Sequence, residues 1–367
     1  MKDKIMACME AHTTQLIQAE KQERLPIDVI QAIEKLGFFD LMRPRQYGGL
    51  ETSYPELLDM IISIASRSGS LAWYLIIMSE HNMVTPLLSP ILSDRLFQSQ
   101  PLLIASSTFT PGKAINQGNH YLLSGHWRYI TGIDYCNWVT VKAEITNEDN
   151  RKVEFFVPAS RFTIHNDWHA IGMRASGSHS ASLQNESVPI ALCVDKQFRK
   201  YTDSSLPLHY RIPHPVLTAL GTVAPMIGLL QGMAETLAPA PKNDTISLAH
   251  IASLSQLAGL LAETRMLRDS FMNDAIQISA QTQHGNAFTP LYQQQISLRC
   301  VLRAKQCRQL ASELLACGGT KSVMQDSPLA IKFNDIHVMS THYLMREANA
   351  LVNMALTTSP LPPSTNT

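Results

Sequence analysis

Charged side chains are scarce in this sequence: Asp, Glu, Lys and Arg make up 16% of 367 residues, where about a quarter is usual. Thirty basic residues balance thirty acidic ones, so no net field attracts nucleic acid or an anionic membrane, and both are excluded as partners. So little charge implies covered surface, and an oligomer is expected, a homotetramer or a homodimer. The six cysteines include no Cys-x-x-Cys pair; they read as reduced, buried thiols rather than a disulfide frame or a zinc site. No His-Glu or His-Cys spacing indicates metal. Residues 1–26 lack the apolar core of a signal peptide, and their acids argue against a transit peptide. No run approaches the ~18 apolar residues of a membrane span. A soluble cytoplasmic protein is expected. A Gly-x-Gly-x-x-Gly fingerprint is also absent, so direct use of NAD(P)H is not expected.

What is present falls into three textures. Residues 1–102 read as helices: "IDVIQAIEKL" (27–36) places apolar residues at helical spacing and stops at Gly37. A further helix opens at Ser53 or Tyr54, with Pro55 early and Glu56 in its first turn. The stretch to Val84 is apolar nearly all round, which predicts helices buried on several sides. From 103 to 206 short β-branched and aromatic segments alternate with Gly, Pro and Asn, the vocabulary of strands and hairpins, ending in a proline-rich linker. Residues 207–356 hold four long amphipathic segments, an antiparallel bundle, and 357–367 read as a disordered tail. The fold class is α+β: an N-terminal helical domain, a small central β-barrel-like domain and a C-terminal four-helix bundle.

The segment "GHWRYITGIDYCNW" (125–138) breaks strand rules, with four large aromatics and two glycines. By itself it reads either as a strand end turning on Thr131-Gly132 or as a rest for something flat. Its neighbours carry a resemblance. "SSTFTPGKA" (106–114), "LLSGHWRYITG" (122–132), "IDYCNWVTVKA" (133–143), "GMRASGSHSASLQNESVP" (172–189) and "ACGGTKSVMQDSPLAIKFNDIHVMSTH" (316–342) resemble, in order and spacing, the acyl-CoA dehydrogenase superfamily. Trp127-Arg-Tyr129-Ile-Thr131-Gly132, Gly172-Met-Arg174-Ala-Ser176-Gly177-Ser178 and Asn334-Asp335…His342 are most similar to its flavin-dependent monooxygenase branch. That branch includes the oxygenase components of two-component hydroxyphenylacetate and dibenzothiophene monooxygenases and the amino-sugar N-oxygenases.

The resemblance implies reduced flavin, FMN or FAD, delivered by a separate NAD(P)H:flavin reductase. It implies a C4a-hydroperoxyflavin formed with O2 that hydroxylates, or N- or S-oxygenates, a small organic substrate. On that reading Thr131 donates to the flavin edge, Gly132 lets the backbone approach it and Tyr129 packs near the ring. Ser106 and Thr108 are further cofactor contacts, or polar residues of a strand-to-loop junction. Arg174, Ser178 and His179 fall at the substrate mouth, with Arg174 facing a substrate anion or bracing a corner between strands. Ser176 joins the catalytic candidates, or is a satisfied loop hydroxyl. Where dehydrogenases of this fold carry a Glu base, this sequence has His342-Tyr343, and a His suits oxygen chemistry as acid or base. His81, on an apolar helix, is the second catalytic candidate, or a satisfied core residue.

Two arginines of the family's last bundle turn are replaced by Ile331 and Asn334, and Lys332 does not reproduce a guanidinium fork. Residues 240–246 lack an Arg…Phe-Gly segment that holds FAD pyrophosphate in many dehydrogenases; Arg265, Arg299 or Arg303 could supply a phosphate partner instead, and the sequence does not select among them. Two other readings stand beside the oxygenase: an acyl-CoA dehydrogenase-like enzyme acting on an acyl thioester, and a scaffold that has lost catalysis.

Overall fold

The structure, a computed structural model, describes residues 1–148, 151–194, 208–237, 248–283 and 288–358, except the side chains of 108–110, 208–209, 248–253, 283 and 358. Six helices come first: α1 (Lys2–Ala11), α2 (Thr13–Gln22), α3 (Ile27–Lys35), α4 (Tyr54–Ala65), α5 (Gly69–Val84) and α6 (Pro90–Phe97). The start of α4 follows the local code. Ser53 Oγ accepts from Glu56 N while Glu56 Oε2 accepts from Ser53 N at 3.1 Å, a reciprocal cap with Tyr54-Pro55 opening the first turn. Both α4 and α5 are buried round most of their circumference, as their uniform apolarity predicts.

Seven strands follow: β1 (Ile104–Asn116), β2 (His120–Ile130), β3 (Trp138–Ile145), β4 (Lys152–Pro158), β5 (Thr163–His165), β6 (His179–Pro189) and β7 (Cys193–Val194). They form one sheet in the order β5-β6-β2-β1-β3-β4-β7, antiparallel except between β1 and β3. The expected barrel-like domain is thus a single sheet edged by β5 and β7. The proline-rich linker and the rest of the stretch up to residue 207 lie outside the described residues.

Helices α7 (His214–Leu237), α8 (Leu248–Gln283), α9 (Pro290–Cys317) and α10 (Pro328–Ser340) are the four long segments, and α11 (Glu347–Thr358) adds a fifth. Residues 357–358 of the expected tail are therefore helical; the rest lies outside the described residues. The expectation of no membrane-length apolar run also needs correcting, because α7 is long and apolar enough to cross a bilayer. Yet 89% of its apolar window is buried inside the protein, against α4, α5, α9 and α10, which makes it the central core helix. All six cysteines are free, but only Cys300 and Cys307 are fully buried, inside the bundle; the other four are half-buried, contrary to the reading from composition.

Candidate active site

A cavity of about 590 Å³ opens between α5, the faces of β1 to β4, α7 and the turn that follows α10. That is within the ~300–1,000 Å³ usual for a small-molecule site. Helix α5 supplies Trp73, Ile77, Glu80, His81 and Val84 to it. Steps of three and four residues put these on one stripe, so one face of an otherwise buried helix lines the space.

On the sheet side the segment 125–138 resolves its own irregularity. The β2–β6 register shifts between Trp127 and Ile130, and Tyr129 takes a left-handed φ of 63°. Such a conformation costs a non-glycine residue on the order of 1–3 kcal/mol and concentrates at functional sites. The bulge turns Tyr129 out of the ladder to line the cavity, 52% exposed, with the Trp168 ring 6.2 Å away edge-on and the Arg128 guanidinium 5.8 Å from its centroid. Trp127 meanwhile stays wholly buried and donates from Nε1 to Lys142 O at 2.9 Å.

Thr131 is the hub of a hydroxyl chain. Trp73 Nε1 donates to Thr131 Oγ1 at 3.1 Å, Thr131 Oγ1 and Ser178 Oγ lie 2.8 Å apart, and Ser178 Oγ and Ser176 Oγ 2.9 Å. All three hydroxyl residues are buried and face the cavity. They hydrogen-bond without carrying a titrating charge.

His342 follows the C-terminus of α10. Its ring meets Trp73 edge-on at 5.7 Å and Tyr343 at 4.8 Å, and its Nδ1 is buried with no hydrogen-bond partner among the described residues. Loss of water around it pushes the imidazole down to about 4, so it is neutral at pH 7. His81 Nδ1 lies 2.8 Å from Ile77 O; a carbonyl only accepts, so Nδ1 carries the proton and Nε2 of the neutral ring is an acceptor.

The loop bearing Ser176 and Ser178 is held from behind by two buried carboxyl groups. Met173 N donates to Asp335 Oδ1 on α10, and Ala175 N donates to Glu20 Oε2 on α2 at 3.1 Å. Burial raises both acids above the carboxylate range, Asp335 further because Glu20 is close.

Ser106, Tyr129, Thr131, Ser176, Ser178, His81 and His342 are thus brought to one cavity, and four other candidates are not. Gly132 does not give a ligand room: its φ is +72° and a Cβ there would fall 2.5 Å from the Tyr74 ring, so the space is filled by α5. Arg174 is turned away, donating to Glu20 O at 2.9 Å and Ala170 O at 3.0 Å and pairing with Glu23 at 2.6 Å. His179 is 2% exposed and accepts from Trp168 N at 3.2 Å, so it supports a lining residue rather than the mouth. Arg299 pairs with Asp274 at 2.8 Å between α8 and α9, away from the cavity. The Thr108 side chain lies outside the described residues.

Sequence reasoning passed over Trp73, Trp168, Glu80 and Glu154. Glu154, from β4, is buried and accepts from Thr140 Oγ1 at 3.0 Å. Glu80 accepts from Tyr54 Oη at 2.7 Å, and burial pushes its carboxyl up to about 8. The signal was available: an acid inside an all-apolar helix or strand demands a partner or a purpose. Among the described residues, no group of three His, Cys, Asp or Glu is placed to hold a metal.

This arrangement fits a flat heterocycle. The neutral hydroxyl chain, the orphaned His342 Nδ1 and the Tyr129 and Trp168 rings offer the donors, acceptors and apolar faces that an isoalloxazine needs.

Comparison with known proteins agrees. The acyl-CoA dehydrogenase N-terminal domain model matches residues 1–91 and the C-terminal domain model residues 245–347, together just over half of the chain. The oxygenase component of p-hydroxyphenylacetate 3-hydroxylase from Acinetobacter baumannii is 24% identical over 363 residues, covering 93% of this chain and 85% of that protein. The flavin-dependent monooxygenase oxygenase subunit HsaA from Mycobacterium tuberculosis is 27% identical over 222 residues, which is 58% of this chain and 56% of that one. XiaF from Streptomyces, solved with FADH2 and glycerol, superposes with a TM-score of 0.89 at 20% identity, covering 100% of this chain and 97% of that one. At that identity the superposition shows the fold alone.

Proposed function

The chain belongs to the acyl-CoA dehydrogenase family, and from that premise we propose that it is the oxygenase component of a two-component flavin-dependent monooxygenase acting on a small organic substrate. The observation that carries this is the pairing of an uncharged hydroxyl chain with a neutral, orphaned imidazole across one sequestered cavity. Bound reduced flavin supplies the electrons that activate O2, so that one oxygen atom enters the substrate and the other leaves as water.

The protein's part is to hold, orient and keep dry. Trp73 occupies a lone pair of Thr131 Oγ1, which leaves the Thr131 proton for Ser178 or for a ligand atom in the cavity. Tyr129 and Trp168 give the ring an apolar surface. Trp73, Ile77 and Met339 exclude water that would otherwise carry protons to the reacting oxygen. His342, neutral and with no partner on Nδ1 among the described residues, accepts a hydrogen bond from a substrate hydroxyl or amine and orients it.

The flavin is FMN or FAD, received reduced from a separate reductase; the absence of arginines at 331 and 334 favours loose, exchangeable binding. Sparse charge supports a homotetramer, and six free thiols suit the reducing cytoplasm.

The test is to mix the protein–reduced flavin complex with oxygen in a stopped-flow spectrometer. A transient absorbance, distinct from both reduced and oxidised flavin, is expected, and it should decay faster in Ser178→Ala. Direct return to oxidised flavin with no transient overturns the reading.

A further inference from the structure

Among the ionisable groups of the cavity that the mechanism above does not use, Glu80 has the most built surroundings. Glu80 projects from α5 in the company of Tyr54 of α4 and of Thr218, Gly221 and Thr222 of α7. Helix α7 is notched for it, since a Cβ on Gly221 would fall 1.9 Å from Glu80 Oε1. Tyr54, buried to 1% exposure, places its Oη 2.7 Å from that same Oε1 and 2.8 Å from Leu217 O, so its one proton serves Leu217 when the acid is neutral and Oε1 when it is ionised. Glu80 Oε2 takes no hydrogen bond from the described residues and is not sealed from the cavity. Seven residues of helix separate Glu80 from Trp73, the anchor of Thr131, which is about 10 Å along the axis.

We propose that Glu80 is the binding residue for the far end of the substrate, and that the substrate class is a small aromatic whose distal substituent is a hydroxyl or an amine and not a carboxylate. This rests on the monooxygenase reading for the identity of the near end. Trp73, Trp168 and Phe156 suit an aromatic ring. Tyr54 engages Oε1, so Oε2 is left to meet the ligand. Burial keeps the acid neutral up to about pH 8, when it exchanges a hydrogen bond with a hydroxyl but gains nothing from charge; once ionised it accepts from an ammonium and repels a carboxylate. The other ionisable groups that line the cavity include His81 on its own helix, His214 at the start of α7, Arg128 and Glu154 of the sheet, and His342 and Arg346 after α10; Tyr54, in contact with Glu80, has its phenol held well above its usual range by burial and by Glu80 itself. Cys300 of α9, beside Tyr54, is pushed up to about 12 and stays a thiol.

The experiment uses the full chain with reduced flavin, without oxygen, in equilibrium dialysis against tyramine, 4-(2-hydroxyethyl)phenol and p-hydroxyphenylacetate. At pH 9 tyramine is expected to bind at least tenfold tighter than p-hydroxyphenylacetate, with 4-(2-hydroxyethyl)phenol between them. The tyramine preference should shrink at least fivefold at pH 6.5, with a midpoint near 8. Glu80→Gln keeps the shape and should make the ratio independent of pH. Tyr54→Phe removes a hydrogen bond that favours the ionised form and should move the midpoint upward. Preference for p-hydroxyphenylacetate at pH 9, an unchanged pH dependence in Glu80→Gln, or no binding of any probe overturns the assignment. A missing oxygen transient with the expected dialysis pattern would instead remove the monooxygenase reading and leave Glu80 in place.

Discussion

On the sheet side of the cavity, Thr131, Ser176 and Ser178 are uncharged hydroxyls fixed by backbone: a bulged strand, a positive-φ loop and two buried acids behind it. On the helix side, Glu80, His81 and His342 sit on or beside helices, and burial governs the ionisation of Glu80 and His342. The hydroxyl chain of the sheet wall holds its chemistry constant with pH, whereas the helix wall trades stability for groups that hold or move a proton. The difference teaches which kind of residue each architecture can carry: strands and loops aim small hydroxyls by backbone geometry, while a helix stripe delivers long side chains into a dry space.

The largest effect that would break this contrast concerns Glu80. Its carboxyl titrates at about 8 in the fold and near 4.5 when unfolded. Stability from its protonated form is therefore full below 4.5 and is lost as pH rises through 8. Urea unfolding of Glu80→Gln against the parent should show the variant gaining roughly 3–5 kcal/mol between pH 4.5 and pH 9. A pH-independent difference would mean that the helix wall is no more titratable than the sheet wall.

Next comes the support of the sheet wall. Asp335→Ala leaves the Met173 N–H unpaired in a buried place, and should cost about 2–3 kcal/mol in the same assay. Asp335→Asn, which keeps an acceptor for that N–H, should cost less than half as much. Equal losses would show that the acceptor is not what holds the loop.

The smallest effect sharpens the comparison. Thr131→Val takes the acceptor from Trp73 and the neighbour from Ser178, and should weaken reduced-flavin binding about tenfold, or ~1.4 kcal/mol. The loss should be the same at pH 6 and pH 9, by fluorescence titration, because no member of the chain ionises there. A pH-dependent loss would couple the hydroxyl chain to a titrating neighbour.

Several of these residues were legible in the sequence for physical reasons. Ser53, Tyr54-Pro55 and Glu56 form a local cap and need no distant partner, so the start of α4 could be read directly. Tyr129 and Thr131 stood out because aromatics beside a glycine contradict strand propensity, and that contradiction marks the bulge. Arg174 and Gly132 were misplaced because their partners, Glu20 and Tyr74, are far away in the chain, and His179 because no local signal says which face of a loop looks outward. Glu80 escaped notice because its meaning depends on a notch in α7, a helix more than a hundred residues further on.

By itself, then, the sequence determined the succession of helices, strands and helices and the run of residues that builds the sheet wall, because propensity, caps and the two periodicities act over a few residues. Only the tertiary structure decided which hydroxyls meet, which histidine loses its water and which acid faces the cavity. Those properties follow from burial and from distances of 2.7 to 3.1 Å between elements far apart in the chain, and such distances exist only once the helices and the sheet have packed.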